Sequence, residues 1–175
     1  MTILQLLLTT TLILQATSQE LGVGLIVSKE DIAEFSASNL ILHNGDLQPS
    51  IEKKINGISY RIAYESKSRK IVQISTFDEN FKTADGLQVG SFVKARRDQI
   101  IPTESTVLGP KTSNGWHTVI GTDYEVVVIK DGVESRVRLG DESWTARAAR
   151  KGVRKLFGKS ETIMVKVEQF SKIKE

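Results

Sequence analysis

The sequence predicts an α+β domain: a mainly antiparallel sheet from two helix–hairpin repeats, plus a C-terminal basic amphipathic helix and a final strand. Three observations carry this expectation. Residues 24–76 and 86–139 share an order of features at a nearly constant offset. Within each stretch a run of period-two alternation is followed by a turn and a second run, the pattern of a half-buried hairpin. Residues 141–158 place small apolar side chains on one helical arc and cations on the other.

The first repeat opens with Gly24-Leu25-Ile26-Val27, and the second with Gly86-Leu87-Gln88-Val89, 62 residues on. Each opening leads into a helical signal. In the first, Ser28 is an N-cap candidate with Asp31 three residues later, and Val27 and Ile32 occupy the hydrophobic-staple positions. In the second, Ser91 is the N-cap candidate for a helix from Phe92 to Gln99 that Pro102 would stop. The hairpins repeat as well. Gly57 to Tyr64 matches Gly121 to Val128 at an offset of 64, with Tyr60 on Tyr124 and Ile62 on Val126. The return strands are Lys70 to Thr76 and Val133 to Leu139, the second reached through Asp131-Gly132, a dipeptide suited to the positive φ of a tight hairpin turn. Two such units side by side would make one sheet with helices on one face.

In the C-terminal part, Asp141 suits an N-cap and Gly158 a C′ position. Between them Ala148, Ala149, Val153, Leu156 and Phe157 fall on one arc, and Arg147, Arg150, Lys151, Arg154 and Lys155 on the other. Alternation from Thr162 to Phe170 then reads as the final strand.

The composition is globular. Hydrophobic residues make up 39% and charged residues 26%, too apolar for a disordered chain, and the formal net charge is +3. The chain has no cysteine, which excludes disulfides, thiolate metal sites and a lipid-bearing N-terminal cysteine. Residues 1–18 read as a signal peptide. Thr2 to Gln15 is apolar and uncharged, too short to span a bilayer, and Ala16 and Ser18 are small residues placed for a cut before Gln19. Removal of eighteen residues leaves 157 of the 175 as a single domain, residues 19–175, long enough to bury a core without disulfides. The expected location is periplasmic or extracellular, and export without cysteines points to a bacterial periplasm more than to an animal extracellular space.

The segment Phe81-Lys82-Thr83-Ala84-Asp85-Gly86-Leu87-Gln88-Val89-Gly90-Ser91, with the tandem helix–hairpin order, resembles the small exported bacterial domains of the β-lactamase-inhibitory-protein and outer-membrane-assembly-lipoprotein type. The resemblance runs from Gly24 to Leu139. It departs from that pattern at Ile100-Ile101-Pro102 and in lacking the lipidated cysteine. It implies a non-enzymatic protein-binding fold in the cell envelope.

No motif calls for a catalytic centre, a metal or a cofactor. Gly158-Lys159-Ser160 lacks the glycine a phosphate-binding loop requires five residues earlier, where Val153 stands. No Gly-x-Ser-x-Gly elbow is present. His43, beside Asn44-Gly45-Asp46, reads as a turn residue, and His117 as the start of a strand. Asp78-Glu79 has no calcium-loop spacing and reads as a solvated turn.

Two surfaces remain as candidates. One is aromatic: Trp116, at the end of the polar loop Lys111 to Gly115, with Tyr60, Tyr64 and Tyr124, as contacts for an envelope protein. The other is the basic helix, with Arg147, Arg150, Lys151, Arg154 and Lys155 facing an anionic membrane or an acidic partner. From Arg147 to Glu175 nine cations stand against three anions, so this tail is +6 and the rest of the chain −3. Nucleic acid is disfavoured by export and by the lack of a recognisable binding module.

Overall fold

The computed structural model describes residues 21–120, 125–130, 133–138 and 162–174. The elements run α1 (Lys29–Phe35), β1 (Ser36–Ile41), β2 (Leu47–Ile55), β3 (Ile58–Tyr64), β4 (Ile71–Thr76), β5 (Phe92–Ala95), a 3₁₀ turn (Arg97–Gln99), β6 (Ile101–Pro102), β7 (Val107–Lys111), β8 (His117–Ile120), β9 (Glu125–Lys130), β10 (Val133–Arg138) and β11 (Thr162–Ile173). The strand order is β1-β2-β3-β4-β11-β8-β7-β6; β5 and β9 also pair with β11, and β10 with β9. Every registered pair is antiparallel.

The expected α+β class is therefore corrected. Among the described residues there is one short α-helix, and the rest of the regular structure is antiparallel sheet apart from one 3₁₀ turn. In the first unit the helix and the hairpin form where expected, but the connection between them is itself two strands, β1 and β2. Ser28 caps α1, its hydroxyl accepting from the Asp31 amide at 2.9 Å, and Val27 and Ile32 pack into the core. β3 and β4 form the first hairpin.

The second unit does not form a helix. Ser91 accepts from the Gln88 amide behind it instead of capping a helix ahead of it. Phe92–Ala95 alternates exposed and buried, with Val93 and Ala95 inside, and pairs with Lys166 to Ile163 of β11. A free strand edge outcompetes a local cap, because one exposed helical turn offers Val93 no apolar partner. The tandem helix–hairpin architecture implied by the resemblance is accordingly not built. β9 and β10 do pair, Val133 opposite Lys130. The basic helix 141–158 lies outside the described residues.

β11 organises the molecule. Its first part, Ile163 to Lys166, lies against β5 and β9, and its last part, Val167 to Ile173, against β4 and β8. The register shifts between Val167 and Gln169, and there the loop residues Gly90 and Ser91 exchange backbone hydrogen bonds with Val167, at 2.7 and 2.9 Å.

Residues opposite one another in register share a face of the sheet, and the two faces differ in chemistry. Ile51, Ile62 and Ile74 make one row of the apolar face. α1 and the lead-in through Val27 pack over that side, and Phe81, Trp116 and Phe170 continue the core. Tyr60, Phe81, Trp116 and Phe170 form an aromatic cluster with ring centroids 4.9–6.2 Å apart. On the opposite face stand Arg61, Ser75, Ser171 and His117 in one row, and Ser50, Ala63, Gln73 and Ile173 in the next.

Close approach inside the sheet is visible at Gly109. A Cβ there would lie 2.4 Å from Thr118 Oγ1 and 3.3 Å from Ile120 Cδ1. Thr118 is fully buried, and its hydroxyl donates to the Pro110 carbonyl, so it has nowhere to retreat. Gly109→Ala is expected to lower stability by about 1–3 kcal/mol, the usual cost of overpacking. Adding Thr118→Ala, which removes the obstructing hydroxyl, is expected to make the Gly109→Ala step cheaper than it is in the native background. Additive losses in urea denaturation would refute the clash.

Candidate functional site

The polar face is the concave one. The His43 amide, just past β1, donates to Gln73 Oε1 on β4 at 3.3 Å. Arg61 Nη2 on β3 donates to the Ser38 carbonyl and hydroxyl on β1. β1 thus bends over β3 and β4, helped by the small side chains of Ser50 and Ala63, both buried. The bend brings together turns from opposite ends of the strand order. The Glu104 amide donates to the His43 carbonyl at 3.1 Å, the Ser105 hydroxyl donates to the Leu42 carbonyl, and His43 Nδ1 meets Thr106 Oγ1. The sheet closes on itself at this end.

The concave face carries a continuous polar chain. Gln73 Nε2 donates to Ser75 Oγ at 3.2 Å, Ser75 and Ser171 share a hydrogen bond at 2.8 Å, and Gln169 Nε2 donates to Ser171 Oγ at 3.0 Å. Gln73, Ser75 and Ser171 are buried. Buried polar groups linked in this way hold one geometry, since each would be costly to leave unpaired.

At the His43 end the chain reaches a cleft of about 540 Å³, within the range of small-ligand sites. Its apolar lining is Leu42, Val72 and Ile173; its neutral polar lining includes Asn44, Gln48, Gln73 and Thr103. The charged groups are Asp46, Glu65, Glu104 and Lys174, with His43 beside them. The β1–β2 turn positions Asp46. Gly45 takes a φ of 89°, which favours glycine, and the Asn44 side-chain amide donates to Asp46 Oδ2 at 2.7 Å. Glu65 is held below the usual carboxylate range by the Ser68 hydroxyl first, and then by Lys174 and Lys70. Lys174 Nζ lies 3.7 Å from Glu65.

His43 is only 6% exposed, and its Nε2 is buried without a hydrogen-bond partner among the described residues. Burial, reinforced by nearby His117, lowers its pKa to about 4, so the ring is neutral at physiological pH. A hydroxyl on Nδ1 does not make it a general base. Its pKa lies well below neutral, and among the described residues no carboxylate is hydrogen-bonded to the ring. Among the described residues, no group of three or more His, Cys, Asp or Glu side chains is placed to hold a metal ion.

A second cleft, of about 320 Å³, opens on Arg61, Ser75, Tyr60 and Asp78. Asp78 accepts from the Ser59 and Asn80 amides, each at 2.9 Å, and these bonds hold its carboxyl below the usual range. It is thus a built turn, not merely a solvated one. Burial and the Asp78 charge push the Tyr60 hydroxyl up.

Of the aromatic residues singled out from the sequence, Trp116, 7% exposed, and Tyr64 are buried in the core, and Tyr60 is half-buried against Phe81 and Trp116. Lys172 Nζ sits 5.5 Å from the Trp116 ring centroid, over the ring. Tyr124, Arg147, Arg150, Lys151, Arg154 and Lys155 lie outside the described residues. His43 and Asp46 do fall in a turn, as the Asn44-Gly45 dipeptide suggests. Their role in a cleft depends on Gln73 and Thr106, which are 30 and 63 residues from His43 in sequence.

Compared with protein-family models, curated proteins and solved structures, the chain matches none.

Proposed function

We propose that this chain is an exported binding protein with no chemistry of its own, and that it takes a small ligand in the cleft beside His43. The observation that carries the reading is the cleft itself. It has ligand-sized volume, an apolar lining, and neutral polar groups held by a buried hydrogen-bonded chain. Export rests on the uncharged apolar leader from Thr2 to Gln15 and on Ala16 and Ser18, small residues placed for a cut before Gln19. Burial of Trp116 and Tyr64 turns the reading away from an aromatic protein-docking surface and towards the concave face.

Neutral probes test the location. In amide-resolved NMR, isopropanol and acetamide are expected to give saturable shifts at Leu42 to Gln48, Val72, Gln73 and Ile173. Ile173→Trp, which fills the cleft, is expected to abolish them. Saturable shifts concentrated instead at Arg61 and Asp78, or at Leu25 and Ile26, would overturn the assignment.

The charge asymmetry of the sequence supports a second, independent activity. A tail of +6 on a chain of +3 suits an anionic membrane or an acidic partner, through Arg147, Arg150, Lys151, Arg154 and Lys155. Cosedimentation with anionic but not neutral vesicles, weakened by salt and by reversing Arg147, Arg150, Arg154 and Lys155 to Glu, is the expected result. Equal recovery with both vesicle types would remove this reading.

A further inference from the structure

We propose that Asn56 is a site of spontaneous covalent modification, closing a cyclic imide with Gly57 and opening it to aspartate and isoaspartate while the fold is intact.

The sequence carries three Asn-Gly dipeptides, Asn44-Gly45, Asn56-Gly57 and Asn114-Gly115. A glycine after asparagine leaves its own amide nitrogen unshielded, because it has no Cβ. In the reaction the Gly57 nitrogen attacks the side-chain carbonyl carbon of Asn56. The N–Cγ bond forms and the Cγ–Nδ2 bond breaks. Nδ2 leaves as ammonia, taking up the proton that the Gly57 nitrogen gives up. Water then adds to one of the two ring carbonyls. Opening at one gives aspartate, and opening at the other gives isoaspartate, whose main chain runs through the former side chain.

All three asparagines are exposed, and all three glycines take positive φ, so neither feature separates the turns. What separates them is how the reacting groups are held. At Asn44 the Gly45 amide donates to the Leu42 carbonyl at 2.9 Å. The Asn44 side chain is tied at both ends, Nδ2 donating to Asp46 Oδ2 at 2.7 Å and Oδ1 accepting from the Asp46 amide at 3.1 Å. At Asn114 the Gly115 amide donates to the Thr112 carbonyl at 3.0 Å, and the Thr112 hydroxyl donates to Asn114 Oδ1 at 2.8 Å. At Asn56, among the described residues, neither the side chain nor the Gly57 amide makes a hydrogen bond.

Space follows the same order. A Cβ built on Gly57 would meet nothing within 4 Å. The same position on Gly45 lies 3.3 Å from Glu104 Cβ, and on Gly115 3.6 Å from Lys172 Cε. The nucleophile and the carbon it attacks are thus unencumbered at the β2–β3 turn and held at the other two.

The product acts on the hairpin. Isoaspartate adds one carbon to the main chain of a two-residue turn whose flanks are paired, Ile55 with Ile58 and Lys54 with Ser59. The Ser59 amide, which donates to Asp78 Oδ2 at 2.9 Å, is the next contact along the chain. Modification therefore loosens this end of the hairpin at the second cleft.

The test follows the full chain in mildly alkaline buffer, with and without guanidinium chloride, by mass-spectrometric peptide mapping that distinguishes aspartate from isoaspartate. In the folded protein Asn56 is expected to convert about tenfold faster than Asn44 and Asn114, because hydrogen bonds must open before either of those can react. In denaturant, where those bonds are gone, the three are expected to convert at similar rates. Asn56→Gly, which suits the positive φ of that position, is expected to remove the modification there and leave the slow conversion of the other two unchanged. Asn44 or Asn114 keeping pace with Asn56 in the folded protein would overturn the proposal. So would an unchanged Asn56 in the folded protein over a time in which the denatured chain converts there.

Discussion

Phe170→Ala is expected to lower stability by about 3–5 kcal/mol, the range for emptying a fully buried aromatic position. Phe170 is 0% exposed and lies opposite both Thr76 on β4 and Thr118 on β8. Its ring centroid is 5.2 Å from that of Phe81, which in turn packs on Trp116. Truncation would leave a void at the one strand that joins the two halves of the sheet, and neighbours on two different strands cannot both move in to fill it. Against a total of about 5–15 kcal/mol for a typical domain, the loss is large enough to unfold part of the population. Phe170→Leu, which keeps most of the volume, is expected to cost clearly less. Urea denaturation of the two variants decides the matter, and equal midpoints would mean that the site collapses freely and that β11 is not the hub described.

The second large effect is on pH. His43 has a folded pKa of about 4 and an ordinary value near 6.5 in the unfolded chain. Between those values the unfolded chain binds a proton that the native protein refuses. Stability is therefore fully present above about pH 6.5 and is lost progressively as the pH falls towards about 4. Two to three pKa units correspond to about 3 kcal/mol. His43→Gln removes the titrating group, so its stability is expected to change less over this window than that of the native chain, whatever its value at neutral pH. Glu65, Asp78 and Asp85, all held below the usual carboxylate range, weaken the fold in the same direction. They do so only as the pH falls below their unfolded values, near 4, and they act in both proteins. Parallel curves for the two proteins between pH 6.5 and 4.5 would show that burial of His43 carries no penalty for protonation.

The candidate cleft was only partly legible in the sequence. Asn44-Gly45 announces a turn, and a turn was expected at His43. Nothing local announces that the turn is pressed onto Gln73 and Thr106, because that pairing follows from the bending of the whole sheet. Trp116 shows the converse. A tryptophan at the end of the polar loop Lys111 to Gly115 looks exposed in one dimension. The loop folds back, with Thr112 bonding both the amide and the carbonyl of Trp116, and the ring turns into the aromatic cluster.

The hairpin of β2 and β3 was legible and went unread. Asn56-Gly57 stands between Ile55 and Ile58, and both residues take positive φ, 50° and 84°. By contrast, Ser91 to Gln99 could not have been settled locally. Its capping residue and its proline suit a helix, and its alternation of Phe92, Val93, Lys94 and Ala95 suits a strand.

What the sequence by itself determined is whatever depends on neighbours within a few residues: the cap of α1 at Ser28, the alternation of β3, β9, β10 and β11, and the tight turns. What only the tertiary structure decided is the fate of segments whose local preferences are balanced, and the position of groups whose partners are distant. β11 supplied the edge that made a strand of Phe92–Ala95. The curl of the sheet then buried His43 beside Gln73 and drew Asp46, Glu65 and Lys174 around one cleft. Long-range pairing removes apolar surface and backbone groups from water together, and that gain exceeds the roughly 1 kcal/mol by which a single cap or propensity favours one local form.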